Sequence, residues 1–152
     1  GIVYENLGIY ANAIQDYSET VKLRPDFIMA YHYRGIARFR MNDFDGALED
    51  YNKALQLGQN IELDIATAKE FGLNSSALYF NRGVVMQKKG DLQQAVQDYS
   101  QAINIDPSSA KAYYNRAIAK MALSQAEEAL KDLEIASRLG FTQADQVIRT
   151  YY

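Results

Sequence analysis

ALYFNRGVVMQKKGDLQQAVQDYSQAINIDP, residues 77–107, decides the fold, because it spells out one complete helix-turn-helix unit. Tyr79, Gly83 and Met86 fall on one side of a first helix. Leu92, Ala95, Val96, Tyr99, Ala102 and Ile103 recur at the three-and-four spacing of an amphipathic second helix. Between the two, Gly90 can take the positive φ that ends a helix, and Asp91 can cap the free N–H groups of the next. Pro107 closes the unit, since proline cannot continue a helix and biases Asp106 away from helical geometry.

The same landmarks return thirty-four residues later, where Tyr113, Asn115-Arg116 and Ala129 stand for Tyr79, Asn81-Arg82 and Ala95. Upstream, Tyr31, Gly35, Ala47, Tyr51 and Ala54 carry the pattern, and Ala13, Tyr17 and Pro25 mark the end of a still earlier unit. The sequence resembles the tetratricopeptide repeat family, whose units place an aromatic, a small residue and a second aromatic on the first helix, then alanine, aromatic, alanine and proline. Two positions depart from it: Ala117 stands where the other units have glycine, and Leu133 where they have tyrosine. The expected fold is all-α, a right-handed superhelical solenoid of helix-turn-helix repeats with one inserted short helix and a C-terminal capping helix.

One domain is expected over 1–152. Residues 1–27 form a truncated repeat in which Gly1 falls inside a first helix, so the parent protein is expected to begin upstream. Residues 28–60 form the next repeat, with Met41-Asn42-Asp43 as turn and N-cap. The following unit begins forty-eight residues on instead of thirty-four. The surplus at 61–74, IELDIATAKEFGLN, reads as a short helix with Asn60 as its N-cap, packed on the edge of the stack. Residues 76–109 and 110–141 are tandem repeats capped by Ser75 or Ser76 and by Ser108 or Ser109. Residues 142–152 open with a Thr142–Asp145 capping box and form a capping helix or the start of a further repeat. Asn74-Ser75-Ser76 matches a glycosylation acceptor but reads as a helix cap.

Composition narrows the function. Hydrophobic residues at 48% and charged residues at 23% fit a folded chain, and no apolar run is long enough to cross a bilayer. With no cysteine and one histidine there is no disulfide, thiol chemistry or structural zinc set, and no cofactor or metal motif appears. The compartment stays open, with the cytoplasm favoured. A net charge of -3 argues against nucleic acid as the main ligand.

Charge is divided unevenly between the two kinds of helix. Arg34, Arg38 and Arg40, then Arg82, Lys88 and Lys89, then Lys111, Arg116 and Lys120 lie on first helices, with no acidic residue in 28–41, 76–89 or 110–123. Arg34, Arg82 and Arg116 each precede by sixteen residues an aspartate of the paired helix, Asp50, Asp98 and Asp132. A repeated structural ion pair is the preferred use of those arginines, since guanidinium suits a planar carboxylate. In the family, first helices line the concave surface. The resemblance therefore implies a partner-binding groove made by His32, Tyr33, Ile36, Phe39 and Arg40, then Phe80, Asn81, Val84, Gln87 and Lys88, then Lys111, Tyr114, Asn115, Ile118 and Met121. Chaperone-binding members hold a peptide's carboxylates in such a groove. Asn81 and Lys111 match that clamp, while His32 stands for its first lysine, Ile36 for an asparagine and Asn115 for its arginine.

The chain is accordingly expected to be a protein–protein interaction module and not an enzyme, taking an acidic peptide or protein segment in its groove. The alternative is an architectural segment that self-associates through its exposed ends, or the repeat region of a larger enzyme.

Overall fold

The computed structural model of the chain describes residues 1–6, 8–60 and 75–151, and every element among them is a helix. In order these are α1 (Ile2–Asn6), α2 (Tyr10–Leu23), α3 (Ile28–Arg40), α4 (Phe44–Asn60), α5 (Ser75–Lys89), α6 (Leu92–Ile105), α7 (Ala110–Ala122), α8 (Ala126–Arg138) and α9 (Thr142–Tyr151). They fall into two units, Gly1–Asn81 and Arg82–Tyr152. In the first, α1 packs on α2, α2 on α3 and α3 on α4; in the second, α6 packs on α7, α7 on α8 and α8 on α9. Contact between sequence neighbours is what a repeat array requires, because one helical hairpin cannot bury its own apolar face. The inserted helix expected over 61–74, and the acceptor Asn74, lie outside the described residues.

Helix ends follow the turn chemistry in part. Gly90 takes φ 87° and Asp91 accepts from the Gln94 N–H at 3.1 Å, as their types demand. At the matching turn Asn42 adopts φ 62° and Asp43 accepts from Gly46 N–H at 3.0 Å. α4 runs through Gly58 to Asn60, because a glycine without a following proline weakens a helix without breaking it. Ser75 and Ser76 are the first two residues of α5. Ser109 occupies the N-cap of α7 with no side-chain bond, and the Ser108 hydroxyl turns back to Asp106 at 2.6 Å. Thr142 lies within α9, and Asp145 accepts from Ser137 at 2.5 Å, tying α9 to α8 in place of a capping box.

The core repeats one contact. Gly35 faces Tyr51 and Gly83 faces Tyr99, so closely that a Cβ at either glycine would lie 2.8 Å from the ring's Cε1. The third pair is the exception that explains itself. Leu133 has no ring, and the Cβ of Ala117 fits beside it in a cluster with Ala129, Ala136 and Ala144. The two departures from the family pattern thus compensate each other. Gly83→Ala is expected to cost about 1–3 kcal/mol by overpacking, since fully buried Tyr99 has no room to yield. In a Tyr99→Leu background the same change should cost far less. Chemical denaturation of the two single variants and the double variant checks it, and equal costs in both backgrounds would contradict the compensation.

Candidate functional site

Removing the side chains that the fold itself consumes defines the site. Asp50, Asp98 and Asp132 are buried, and each receives a two-point grip from the arginine sixteen residues before it. Arg34 donates through Nε and Nη2 to Asp50 at 3.0 and 2.7 Å. Arg82 holds Asp98 at 2.8 and 2.7 Å, and Arg116 holds Asp132 at 2.8 and 2.6 Å. Parallel N–H donors from one rigid fork are the strong form of this interaction.

Further partners went unread in the sequence, although the spacing contains them. Arg38 also reaches Asp50, at 3.0 Å, and Lys120 reaches Asp132 at 2.8 Å, each from four residues after the gripping arginine. Met86 holds that place in the intervening repeat, where Gln94 approaches Asp98 at 3.4 Å instead. The remaining nitrogen of two arginines reaches back to the preceding repeat: Arg34 Nη1 to Ser18 at 3.2 Å, and Arg116 Nη1 to Ser100 at 3.0 Å. One guanidinium thereby fixes its own hairpin and the one before it.

Several residues expected to line a groove are occupied in the same way. His32 is only 8% exposed, so it does not line a surface. Its ring lies against Tyr33 and Tyr51, and Asn81 Nδ2 stands 3.0 Å from Nε2. Phe80 and Tyr114 hold the equivalent repeat place, which explains the burial: it is an apolar packing position that here carries an imidazole. The clamp-like pairing of His32 with Asn81 is therefore spent internally. Tyr33 stacks on Tyr17 with ring centroids 6.0 Å apart. In the second unit, the Tyr99 hydroxyl donates to Gln87 Oε1 at 2.7 Å, and Asn115 hydrogen-bonds the same group. Burial, opposed by the Asn115 bond and assisted by the Asp98 charge, pushes that phenol well above its ordinary range. Tyr114 packs on Phe141 at 4.8 Å, and Met121 joins the cluster around Leu133.

What stays outward is smaller and consistent. In the first unit Ile36, Phe39 and Phe80 are half-buried and Arg40 is exposed; Phe39 leans on Phe44 at 5.7 Å. In the second unit Val84 and Ile118 are half-buried, and Lys88 and Lys111 are exposed. Arg40, Lys88 and Lys111 form no ion pair among the described residues. In the second unit Gln87 and Asn115 meet at the Tyr99 hydroxyl; Lys88 follows Gln87 directly in sequence, and Lys111 precedes Asn115 by four residues. Among the described residues no three metal-ligating side chains converge, and no helix is long and apolar enough to cross a membrane.

Burial holds the His32 pKa down, from 6.5 to about 4. Between those values the unfolded chain binds a proton that the folded chain refuses, so stability should rise with pH there and fall on acidification. The slope approaches roughly 1.4 kcal/mol per pH unit. Denaturant midpoints from pH 7 to pH 4 are expected to drop more steeply for the wild type than for His32→Phe. Parallel curves would show that the imidazole titrates as freely folded as unfolded.

Family models described as TPR repeat and tetratricopeptide repeat match residues 87–124 and 28–60. The chain is 29% identical over 150 residues to the DnaJ homolog subfamily C member 7 homolog of Schizosaccharomyces pombe, covering 91% of this chain and 29% of that protein. It thus spans under a third of that relative's length. The crystal structure of MamA superposes with a TM-score of 0.78 at 22% identity, over 93% of this chain and 75% of that one. The Arabidopsis OM64 TPR domain does so with a TM-score of 0.66 at 23% identity, over 82% of this chain and 96% of that one. At such identity the likeness shows the fold alone. Repeated glycine–tyrosine contacts, repeated arginine–aspartate grips and two matched repeat models lead to one conclusion: the chain belongs to the tetratricopeptide repeat family, a helical protein-interaction scaffold.

Proposed function

We propose that the first-helix faces bind acidic segments of a partner protein: in the first unit Arg40 meets carboxylates and Ile36 apolar side chains, and in the second Lys88 and Lys111 meet carboxylates and Val84 and Ile118 apolar side chains. The observation that carries this reading is the division of the cations. The arginines Arg34, Arg38, Arg82 and Arg116 and the lysine Lys120 are spent on buried aspartates, whereas Arg40, Lys88 and Lys111 are exposed and make no ion pair among the described residues. Exposed cations of one sign steer encounter and suppress partners of like charge, while apolar contacts hold the complex. His32, Asn81, Gln87 and Asn115 act in this reading as supports that set the spacing of the helices.

Fluorescence anisotropy with a labelled acidic peptide and a twin whose acids are replaced by lysine tests the reading. The acidic peptide should bind roughly tenfold or more tightly at low ionic strength. The gap should shrink as salt shortens the screening length to about 8 Å near physiological strength. Equal affinities at low salt would rule the reading out.

A further inference from the structure

At the turn between α3 and α4 the first unit carries two rings that the repeat itself does not need. Phe39, in the last turn of α3, and Phe44, the first residue of α4, stand with centroids 5.7 Å and planes 45° apart. Both are half-buried, so part of each ring meets solvent. The matching places hold Gln87 and Leu92 in the next repeat and Met121 and Ala126 in the one after it, and those hairpins close without an aromatic pair. The preceding repeat is present at this end of the hairpin: Gly8, at φ 72°, and Tyr10 hold the places of Asn42, at φ 62°, and Phe44. The edge is thus open with its neighbour in place.

Charge around the rings is one-sided. Ile36, Phe39 and Arg40 follow at the three-and-four spacing that puts side chains on one side of a helix, so Phe39 shares its side of α3 with an apolar side chain and an exposed cation. Arg40 forms no ion pair among the described residues. On the α4 flank the sign reverses. Asp43 caps α4 and pairs with Arg38 at 3.6 Å, and exposed Asp45 stands in the first turn of α4. A carboxylate beside the rings is favoured on the α3 side and repelled on the α4 side. Aromatic and arginine side chains are the types that concentrate binding energy at interfaces.

We propose that Phe39 and Phe44 form an aromatic subsite that seats an aromatic side chain of the partner's acidic segment, with carboxylates on the Arg40 flank of that ring only. The inference rests on the acidic-partner reading and adds two features that the segment must carry in the first unit: a ring, and acids on one side of it. Rings gathered edge-to-face or offset gain more than the area that they bury, which favours an aromatic over an aliphatic occupant.

The chain contains no tryptophan, so a tryptophan in a peptide reports its own surroundings by its emission. The whole 152-residue chain is titrated calorimetrically with the capped peptides Glu-Glu-Trp-Gln-Gln and Gln-Gln-Trp-Glu-Glu, with the alanine-for-tryptophan twin of each, and with the neutral peptide bearing glutamine at all four flanking places. The two acidic orders should differ in affinity. The tighter one should shift its emission to the blue, move the Ile36 methyl signals by ring current, and bind roughly tenfold more tightly than its alanine twin. Phe39→Gln/Phe44→Leu, which gives α3 and α4 the residues of the following repeat, should bind peptide and twin alike while keeping its helical circular dichroism. Equal affinity of that peptide and its twin for the wild type, or unmoved Ile36 methyl signals, would overturn the subsite whether or not the variant folds. If both still bound more tightly than the neutral peptide, the acidic-partner reading would stand without it. Equal affinity of the two acidic orders would overturn the one-sided arrangement. Equal affinity of the neutral and acidic tryptophan peptides would overturn the acidic reading and the part of Arg40 with it.

Discussion

Asp50→Ala is expected to cost the chain about 3–5 kcal/mol, a large share of the stability of any single domain. The carboxylate is 2% exposed and accepts from Arg34 Nε and Nη2 and from Arg38 Nη1, all at 3.0 Å or less. Removing it leaves the Arg34 guanidinium, itself only 12% exposed, with no carboxylate partner among the described residues, and Arg38, 21% exposed, with only its longer 3.6 Å pair to Asp43. The effect would spread beyond one hairpin, since Arg34 also fixes Ser18 on α2. Glu19→Ala is the internal comparison. Its pair with Lys22 is equally short at 2.6 Å, but both side chains are more than half exposed, and the loss should be about 0.5 kcal/mol or less. Burial and not distance decides which pair matters. A denaturant cycle of Asp50→Ala, Arg34→Ala and the double variant should show strong coupling. Small, additive losses would mean that the repeated grip is decoration on a fold held by its alanines and tyrosines.

Those grips were legible in the sequence because a sixteen-residue spacing, repeated three times between residues of opposite charge, survives any uncertainty about where helices begin. The repeat itself was legible for a similar reason. Close approach of Gly83 to Tyr99 demands a residue without a side chain, and few sequences meet that demand by accident at a fixed period. Other features depended on depth, which a polar residue type conceals. His32 and Asn81 read as groove residues because the resemblance carries their repeat positions onto the family's concave face. The structure turns them toward each other, at a position where the repeat otherwise puts phenylalanine or tyrosine. Asn115 and Gln87 likewise serve the Tyr99 hydroxyl, a demand created only when that ring is buried. The capping box expected at Thr142 was misread because threonine is as able to sit one residue inside a helix as to cap it.

Lys88→Glu/Lys111→Glu should reduce affinity for an acidic partner segment about 100-fold at low salt. Each reversal removes an attraction and adds a repulsion, together worth about a factor of ten. The melting temperature should hardly change, because both side chains are exposed and neither forms an ion pair among the described residues. This separation of binding from stability is the counterpart of Asp50→Ala, where loss of charge should destabilise the chain. Arg116 and Lys120 lie on α7 beside Lys111 in sequence, yet both are held by Asp132 and should contribute little to the salt dependence.

The most direct measurement is the salt dependence of acidic-peptide affinity for the wild type and for Lys88→Glu/Lys111→Glu, taken beside their melting temperatures. The expected result is a steep loss of affinity with salt in the wild type, a nearly flat and much weaker response in the variant, and coincident melting curves. Unchanged affinity and salt slope in a variant that melts like the wild type would contradict the assignment of the exposed first-helix cations to partner binding.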